Sequence, residues 1–152
     1  MIATMDRGDS TCWTLVRDAA AGDPESRADF CRLYEPVIQA YLQARWKLPA
    51  GHDDLRDAIQ DVFLQCFKPA GALQRVDASQ AGGFRAFLYG IARNVARGAE
   101  ATRRKTSRQG GSPELEVEPF DETSASRVFD HAFARVITRE ARRLLAERAR
   151  PG

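Results

Sequence analysis

The residues best suited to chemistry are three carboxylates, Asp53, Asp54 and Asp57, which form a D-D-x-x-D pattern. Carboxylates one helical turn apart can share a hard cation such as Mg²⁺, which in turn binds diphosphates. Enzymes of that kind need a second acidic cluster on another helix and a large apolar cavity. The chain of 152 residues has no second acidic cluster at helical spacing. We therefore interpret Asp53 and Asp54 as residues that cap a helix and stabilise its positive end.

Other candidates for catalysis or metal binding are equally isolated. His52 and His131 have no cysteine or histidine at ligand spacing, so we interpret them as surface or capping residues. Cys12, Cys31 and Cys66 are odd in number and form no C-x-x-C pair, which favours reduced, packed thiols over disulfides or a zinc site. The sequence also has no nucleophile elbow, phosphate-binding loop or dinucleotide motif. It therefore predicts a protein that is not an enzyme and that has no metal site and no cofactor.

Charge is strongly segregated along the chain, although the formal net charge is only +2. Residues 67–112 contain nine basic and two acidic side chains, whereas residues 1–66 contain seven basic and eleven acidic ones. A basic segment of this kind is typical of proteins that bind a polyanion, but a solvated helix face has the same composition. Charge alone leaves both interpretations open.

The N-terminal segment Met1–Ser10 contains Asp6, Arg7 and Asp9 where a signal peptide needs apolar residues. The longest apolar runs in the chain are only a few residues, too short to cross a membrane. We therefore expect a cytoplasmic protein with no membrane partner.

Apolar residues recur with helical periodicity, and no segment alternates with the period of a strand, so the predicted fold class is all-α. Asp23-Pro24-Glu25 marks a helix start, and an apolar stripe then runs from Phe30 to Trp46. Pro36 interrupts this stripe and predicts a bend or two helical pieces. A second helix opens around His52–Asp54 and ends before Pro69.

A third helix begins at Phe84 and ends in the basic cluster Arg103–Lys105, after a loop over residues 69–83. Gly98 predicts that the basic end of this helix frays. Residues 109–126 have the composition of a flexible linker, and a further amphipathic helix is expected at about Arg127–Arg148. The predicted organisation is a compact bundle of three to four helices in residues 1–108, the linker, and the terminal helix within 127–152, which needs a partner surface.

Two unlike polar stripes remain once the apolar faces are assigned. One is acidic and contains Asp54, Asp57 and Asp61. The other is basic, and its members recur every four residues along the third helix: Arg85, Tyr89, Arg93 and Arg97. Phe84 and Phe87 are interpreted as core residues, whereas Tyr89 is expected to face outward with the arginines. Such a combination favours a protein with two partners, one of them nucleic acid.

Three stretches, in this order, share a pattern with one family. They are the proline-containing Phe30–Leu42, the Asp57–Lys68 stretch with its D-x-x-Q-D-x-F core, and the Phe84–Ala96 stretch with F-R-x-F-L-Y-x-I-A-R-N. Together they resemble the second conserved region of the extracytoplasmic-function (ECF) sigma factors of bacterial RNA polymerase, over roughly Leu15 to Lys105.

This resemblance implies a transcription initiation factor that docks on the clamp coiled coil of the largest subunit of core RNA polymerase. It also implies that the protein recognises and melts the promoter minus-ten element through the non-template strand. The implied polymerase contacts are Asp57, Gln60, Asp61 and Gln65. The implied DNA contacts are Gln74, Arg75, Asp77, Ser79, Gln80, Arg85, Tyr89, Arg93, Asn94, Arg97, Arg103, Arg104 and Lys105.

The family's fourth region, a helix-turn-helix, is expected to be truncated or missing, with Arg127–Arg148 in the place of its first helix. An anti-sigma factor is a further partner that membership of the family would allow. The alternative is a helical adaptor that binds other proteins through its acidic stripe and terminal helix and does not bind DNA. In that case the basic segment is only a solvated helix face.

Overall fold

A computed structural model describes residues 7–69, 71–75, 83–109 and 122–150. These residues form six helices: α1 (Arg7–Ala20), α2 (Pro24–Trp46), α3 (Asp53–Phe67), the short α4 (Ala72–Arg75), α5 (Gly83–Gln109) and α6 (Glu122–Ala149). The described part of the chain contains no strand, which confirms the predicted all-α class. None of these helices combines the length and the apolar character that crossing a bilayer requires. Helices α1 and α4 add to those that the sequence predicts.

Helix α2 begins as its sequence predicts. The Asp23 carboxylate caps it by accepting a hydrogen bond from the Ser26 backbone N–H at 3.0 Å, and Pro24 occupies the first turn. The helix ends at the capping residue Lys47, which has a left-handed backbone (φ 54°) and donates its N–H to the Gln43 carbonyl. Pro36 lies inside one uninterrupted helix, so of the two predicted alternatives, a bend or two helical pieces, the second is wrong. Pro36 is exposed, whereas Tyr34, Val37 and Ile38 are buried, and packing on that buried side holds the helix together.

Helix α3 is capped by a residue other than the two predicted. The His52 side chain accepts a hydrogen bond from the Asp54 backbone N–H at 3.1 Å through Nδ1, so His52 is the capping residue. Asp53 and Asp54 instead lie in the first turn, where their negative charges interact with the positive end of the helix. The interpretation of His52 as a capping residue is confirmed, and the capping role predicted for the two aspartates is corrected.

The last two long helices both extend beyond their predicted bounds. Helix α5 continues through Gly98 to Gln109, so its basic end is helical and not frayed. Thr102 donates its hydroxyl to the Gly98 carbonyl at 3.0 Å, and Glu100 is fixed by partners on α2. Helix α6 starts at Glu122, so residues 122–126 are helical where a linker was predicted. The rest of that predicted linker, residues 110–121, lies outside the described residues.

The core is built around α2, which packs against α1, α3 and α6. Aromatic rings dominate it: Phe30 and Tyr34 contact Phe84 on α5, and Phe133 on α6 stacks on Tyr34 with ring centres 5.9 Å apart. Phe129 of α6 is fully buried. Burying a side chain of this size contributes about 1.5–3 kcal/mol, so α6 is a firmly packed part of the bundle and α2 is the partner surface that its apolar stripe requires.

The described thiols are packed rather than reactive. Cys66 is buried, and burial raises its pKa to about 12. Cys31 is half-buried, and desolvation also raises its pKa. A thiol with a raised pKa stays protonated near neutral pH and is a poor nucleophile. The side chain of Cys12 lies outside the described set.

Candidate functional site

Helix α5 presents three different sides. Its buried side carries Phe84, Leu88, Ala92 and Ala96, which repeat every four residues and pack into the core. A second side faces solvent and holds four exposed polar residues, here called the outer basic face: Asn94, Arg97, Arg104 and Lys105. Their spacing places them within about one third of the helix circumference, and no acidic residue of α5 shares that arc. The outer basic face therefore presents three positive charges to solvent.

Arg108 lies on the same arc, one turn beyond Arg104, and is also exposed. It is absent from the predicted DNA contacts, although the four-residue spacing from Arg104 is visible in the sequence. The third helix was predicted to end in the cluster Arg103–Lys105, so Arg108 was left outside the basic stripe. The structure lengthens the stripe by one turn.

The third side of α5, here called the inner edge, lies against α6 and contains three other predicted DNA contacts. Arg85 forms an ion pair with Asp130, with Nη1 and Oδ1 2.5 Å apart. The Tyr89 hydroxyl donates a hydrogen bond to the Glu122 carboxylate. Arg93 Nε lies 3.7 Å from Glu122 Oε1. Acidic side chains of α6 thus meet each member of the inner edge.

Tyr89 does not face outward as expected. Its ring lies 5.3 Å from that of Phe129 and 5.5 Å from that of Tyr41, both in edge-to-face contact. The prediction placed Tyr89 on the arginine stripe, which is correct for α5 alone. It is wrong for the assembled bundle because α6 covers this part of the stripe and supplies both an aromatic neighbour and a hydrogen-bond acceptor.

A buried polar network joins α2, α5 and α6. Arg45 is only 4% exposed, and its guanidinium binds Glu100 at two points, with Nε–Oε2 at 2.6 Å and Nη2–Oε1 at 3.0 Å. Its remaining nitrogen, Nη1, donates to Glu122 and lies 3.0 Å from the Tyr41 hydroxyl oxygen. Trp46 Nε1 donates to Glu100 at 2.7 Å. The network satisfies the buried charge of Arg45 with two carboxylates from two different helices.

Hydrogen bonds and burial within this network shift the pKa values of Glu100 and Tyr41. Burial opposes ionisation of Glu100, but hydrogen bonds from Arg45 and Trp46 outweigh that effect and hold its pKa below the ordinary glutamate value. Desolvation raises the pKa of Tyr41, so its hydroxyl stays protonated and can donate to Glu122. Arg45, Glu100 and Glu122 are not among the residues predicted from the sequence. Only the position of Arg45 on the apolar stripe of α2 indicates a buried role.

Arg103 lies outside the outer basic face and contacts residues of α2 and α3. Its guanidinium lies over the Trp46 ring, 4.4 Å from the ring centre, and Nη2 is 3.3 Å from Asp54 Oδ2. Both the cation–π contact and the ion pair are partly exposed. Of the three residues in the predicted basic cluster, Arg103 is therefore occupied within the bundle while Arg104 and Lys105 face solvent.

The predicted polymerase contacts form one continuous surface on α3. Asp57, Gln60, Asp61 and Gln65 are all exposed and follow the spacing of a single helix face. Leu64, which the sequence analysis did not single out, lies among them and is 59% exposed. Leu64 adds one apolar side chain to this polar surface. These five residues are called the α3 face below.

The other predicted DNA contacts belong to the segment between α3 and α5. Gln74 in α4 is exposed, and its side-chain amide donates to the Ala20 carbonyl at 3.4 Å. Arg75 ends α4, but its side chain is not among those described. Asp77, Ser79 and Gln80 lie outside the described residues. Within the described ranges, no group of three or more histidines, cysteines or carboxylates could hold a metal ion.

No protein-family model, curated protein or solved structure matches this chain at a significant level. A functional assignment therefore depends on the two polar surfaces described above and on the sequence motifs that supply them.

Proposed function

We propose that the chain is a transcription initiation factor of the ECF sigma type, which acts in the cytoplasm, docks on core RNA polymerase and binds the non-template strand of the promoter minus-ten element. The observation that carries the proposal is the pair of separate, exposed surfaces of opposite character. The α3 face is acidic with one apolar residue, whereas the outer basic face carries only positive charge. Their residues come from two motifs of the family that the sequence resembles.

The outer basic face suits a nucleic-acid strand. Arg97 and Lys105 are eight residues apart, which is about 12 Å along a helix. At the 3.4 Å rise of one DNA strand, this length corresponds to about four phosphates. Arginine and lysine contacts to phosphates provide affinity and register but carry no sequence information. Base selection therefore depends on other residues, for which the predicted candidates are those of the segment before α5.

Strand separation on this model needs no covalent chemistry. A protein that binds an unpaired strand more tightly than the duplex lowers the free energy of the open state, and contacts to an unstacked base offset the free energy lost on unpairing. The polymerase holds the factor next to the promoter, so docking through the α3 face raises the effective concentration of the outer basic face at the DNA. Docking and strand binding are then separable by mutation.

The test is a binding experiment with fluorescein-labelled single-stranded promoter oligonucleotides, with and without core RNA polymerase. R97E reverses charge on the outer basic face and should abolish strand binding while polymerase docking continues. D61R reverses charge on the α3 face and should have the opposite effect. Matched controls are R142E and D18R, which make the same charge changes at exposed positions on α6 and α1.

A helical adaptor that binds protein but not DNA is the second candidate, and exposed Leu64 favours it. An adaptor would lose its protein partner on D61R and would bind no oligonucleotide in any form. The sigma proposal is wrong if R97E and R142E bind single strands equally well, or if core polymerase does not retain the wild-type chain.

A further inference from the structure

The inner edge of α5 is covered by acidic residues of the same chain. Asp130 pairs with Arg85, and Glu122 receives the Tyr89 hydroxyl and lies next to Arg93. Both acids lie on α6, eight residues apart, and both reach the side of the helix that faces α5. The two carboxylates are about 12 Å apart along the helix axis, a length that spans about four phosphates of one nucleic-acid strand, and each faces an arginine of α5.

The fit between Arg93 and Glu122 is incomplete. Arg93 Nε is buried but has no hydrogen-bond partner, and its distance of 3.7 Å from Glu122 Oε1 is too long for a hydrogen bond. A buried donor without a partner raises the free energy of the state that contains it. An anion able to approach closer than Glu122 would satisfy this donor. Replacement of the Glu122 carboxylate by a closer anion would therefore lower the free energy of the inner edge.

Release of α6 would leave the other helices connected. Arg45 loses Glu122 when α6 moves away but retains its two-point contact with Glu100 of α5. Trp46 also retains its hydrogen bond to Glu100. The pairing of α2 with α5 does not depend on α6, whereas the cover over Arg85, Tyr89 and Arg93 does. Opening of α6 therefore removes the Phe129 ring from Tyr89 and the Phe133 ring from Phe84, but it leaves α5 joined to α2 through Glu100.

We infer that α6 is an autoinhibitory helix, whose Glu122 and Asp130 occupy the positions on the inner edge that phosphates of single-stranded DNA take when the strand binds. This inference rests on the proposed function, because it assigns the inner edge to the same strand-binding surface. The closed form offers DNA only the outer basic face, and the open form adds Arg85, Arg93 and the Tyr89 ring. Strand binding and α6 docking then exclude each other.

The test compares two double variants of the full chain. E122Q/D130N removes the two charges that face the inner edge. E140Q/E147Q removes two charges further along α6, where Glu140 and Glu147 form ion pairs with Arg143 of the same helix. Each variant raises the formal net charge from +2 by two, so their general attraction for DNA is matched. The probe is a fluorescein-labelled thymidine homopolymer, followed by anisotropy across a salt series.

We expect E122Q/D130N to bind the homopolymer about tenfold more tightly than E140Q/E147Q at equal salt, because two covering charges are removed. Hydrogen exchange of the wild-type chain should show faster exchange of α6 amides when the homopolymer is bound. Equal affinities of the two double variants would overturn the inference and leave strand binding intact. Unchanged or slower exchange in α6 would also overturn it.

Failure of the proposed function gives a different result, in which neither the wild-type chain nor any variant binds the homopolymer at low salt. That outcome would contradict both the proposed strand-binding surface and its inhibition by α6. If E122Q/D130N does not fold, as judged by circular dichroism, the single variant D130N replaces it. The Arg85–Asp130 pair is about half exposed, so its loss leaves the buried network untouched.

Discussion

Arg45 on α2 and Glu100 on α5 face each other through a two-point hydrogen bond, although 55 residues separate them in the chain. Arg45 is almost fully buried, so its charge depends on this contact and on Glu122. Removing one partner of a buried ion pair leaves a charge that neither water nor protein fully compensates. The stability of the bundle is therefore sensitive to a residue that lies in the most basic segment of the sequence.

We expect E100Q to lower the free energy of unfolding by about 3 kcal/mol, as for other broken buried pairs. Urea denaturation followed by circular dichroism measures this loss. The matched control is E147Q, which breaks an exposed pair with Arg143 on the same helix and should change stability by less than about 1 kcal/mol. Equal effects of the two substitutions would show that the Arg45 contact is not a major source of stability.

The same carboxylate makes stability depend on acidic pH. The pKa of Glu100 is lowered in the folded state, so its contribution is fully present above the ordinary glutamate pKa and is lost as pH falls through the lower, folded value. The wild-type chain should therefore lose more stability between about pH 5 and pH 3 than E100Q does. Urea midpoints measured at intervals across this range test the difference. Parallel pH profiles for the two proteins would contradict it.

Leu64 is expected to contribute to partner binding but not to folding. It is 59% exposed, and Leu145 on α6 is 60% exposed, so the two leucines form a matched pair. L64A should weaken binding to core RNA polymerase about tenfold, as for a central apolar contact of an interface, whereas L145A should not. Neither should change the urea midpoint appreciably. Equal affinities of the two variants for the polymerase would remove Leu64 from the docking surface.

Salt dependence provides a count of the phosphate contacts. Each phosphate neutralised on a single strand contributes about 0.7 to the slope of log affinity against log salt. R97A and K105A should each reduce the slope by about that amount, and the double variant by about twice as much. R142A on α6 is the control and should leave the slope unchanged. A slope unaffected by R97A and K105A together would place the strand elsewhere on the protein.

The sequence predicts the helices well where the signals are local. The Asp23-Pro24 start of α2 and the apolar stripes of α2, α3 and α5 all depend on residues within a few positions of one another. The exposed side of α5 was predictable for the same reason. Asn94, Arg97, Arg104 and Lys105 face solvent as helical spacing requires.

The inner edge could not be predicted, because its character depends on contacts between distant parts of the chain. Tyr89 shares the spacing of the arginines, and only the position of α6 turns it toward Phe129. Arg45 meets Glu122 across 77 residues, and no local pattern indicates such a pair. The start of α6 was also misplaced. Residues Glu122–Ser126 have the composition of a linker, but Ala125 is buried in the bundle.

Helix α6 is distant in sequence from the residues that it contacts, and this distance predicts an order of folding. Tyr41 and Glu122 are 81 residues apart, whereas α1, α2 and α3 follow one another closely and pack together. Contacts between distant residues form late, because closing a long loop costs more conformational entropy than closing a short one. We therefore expect α6 to join a bundle whose other helices have already paired.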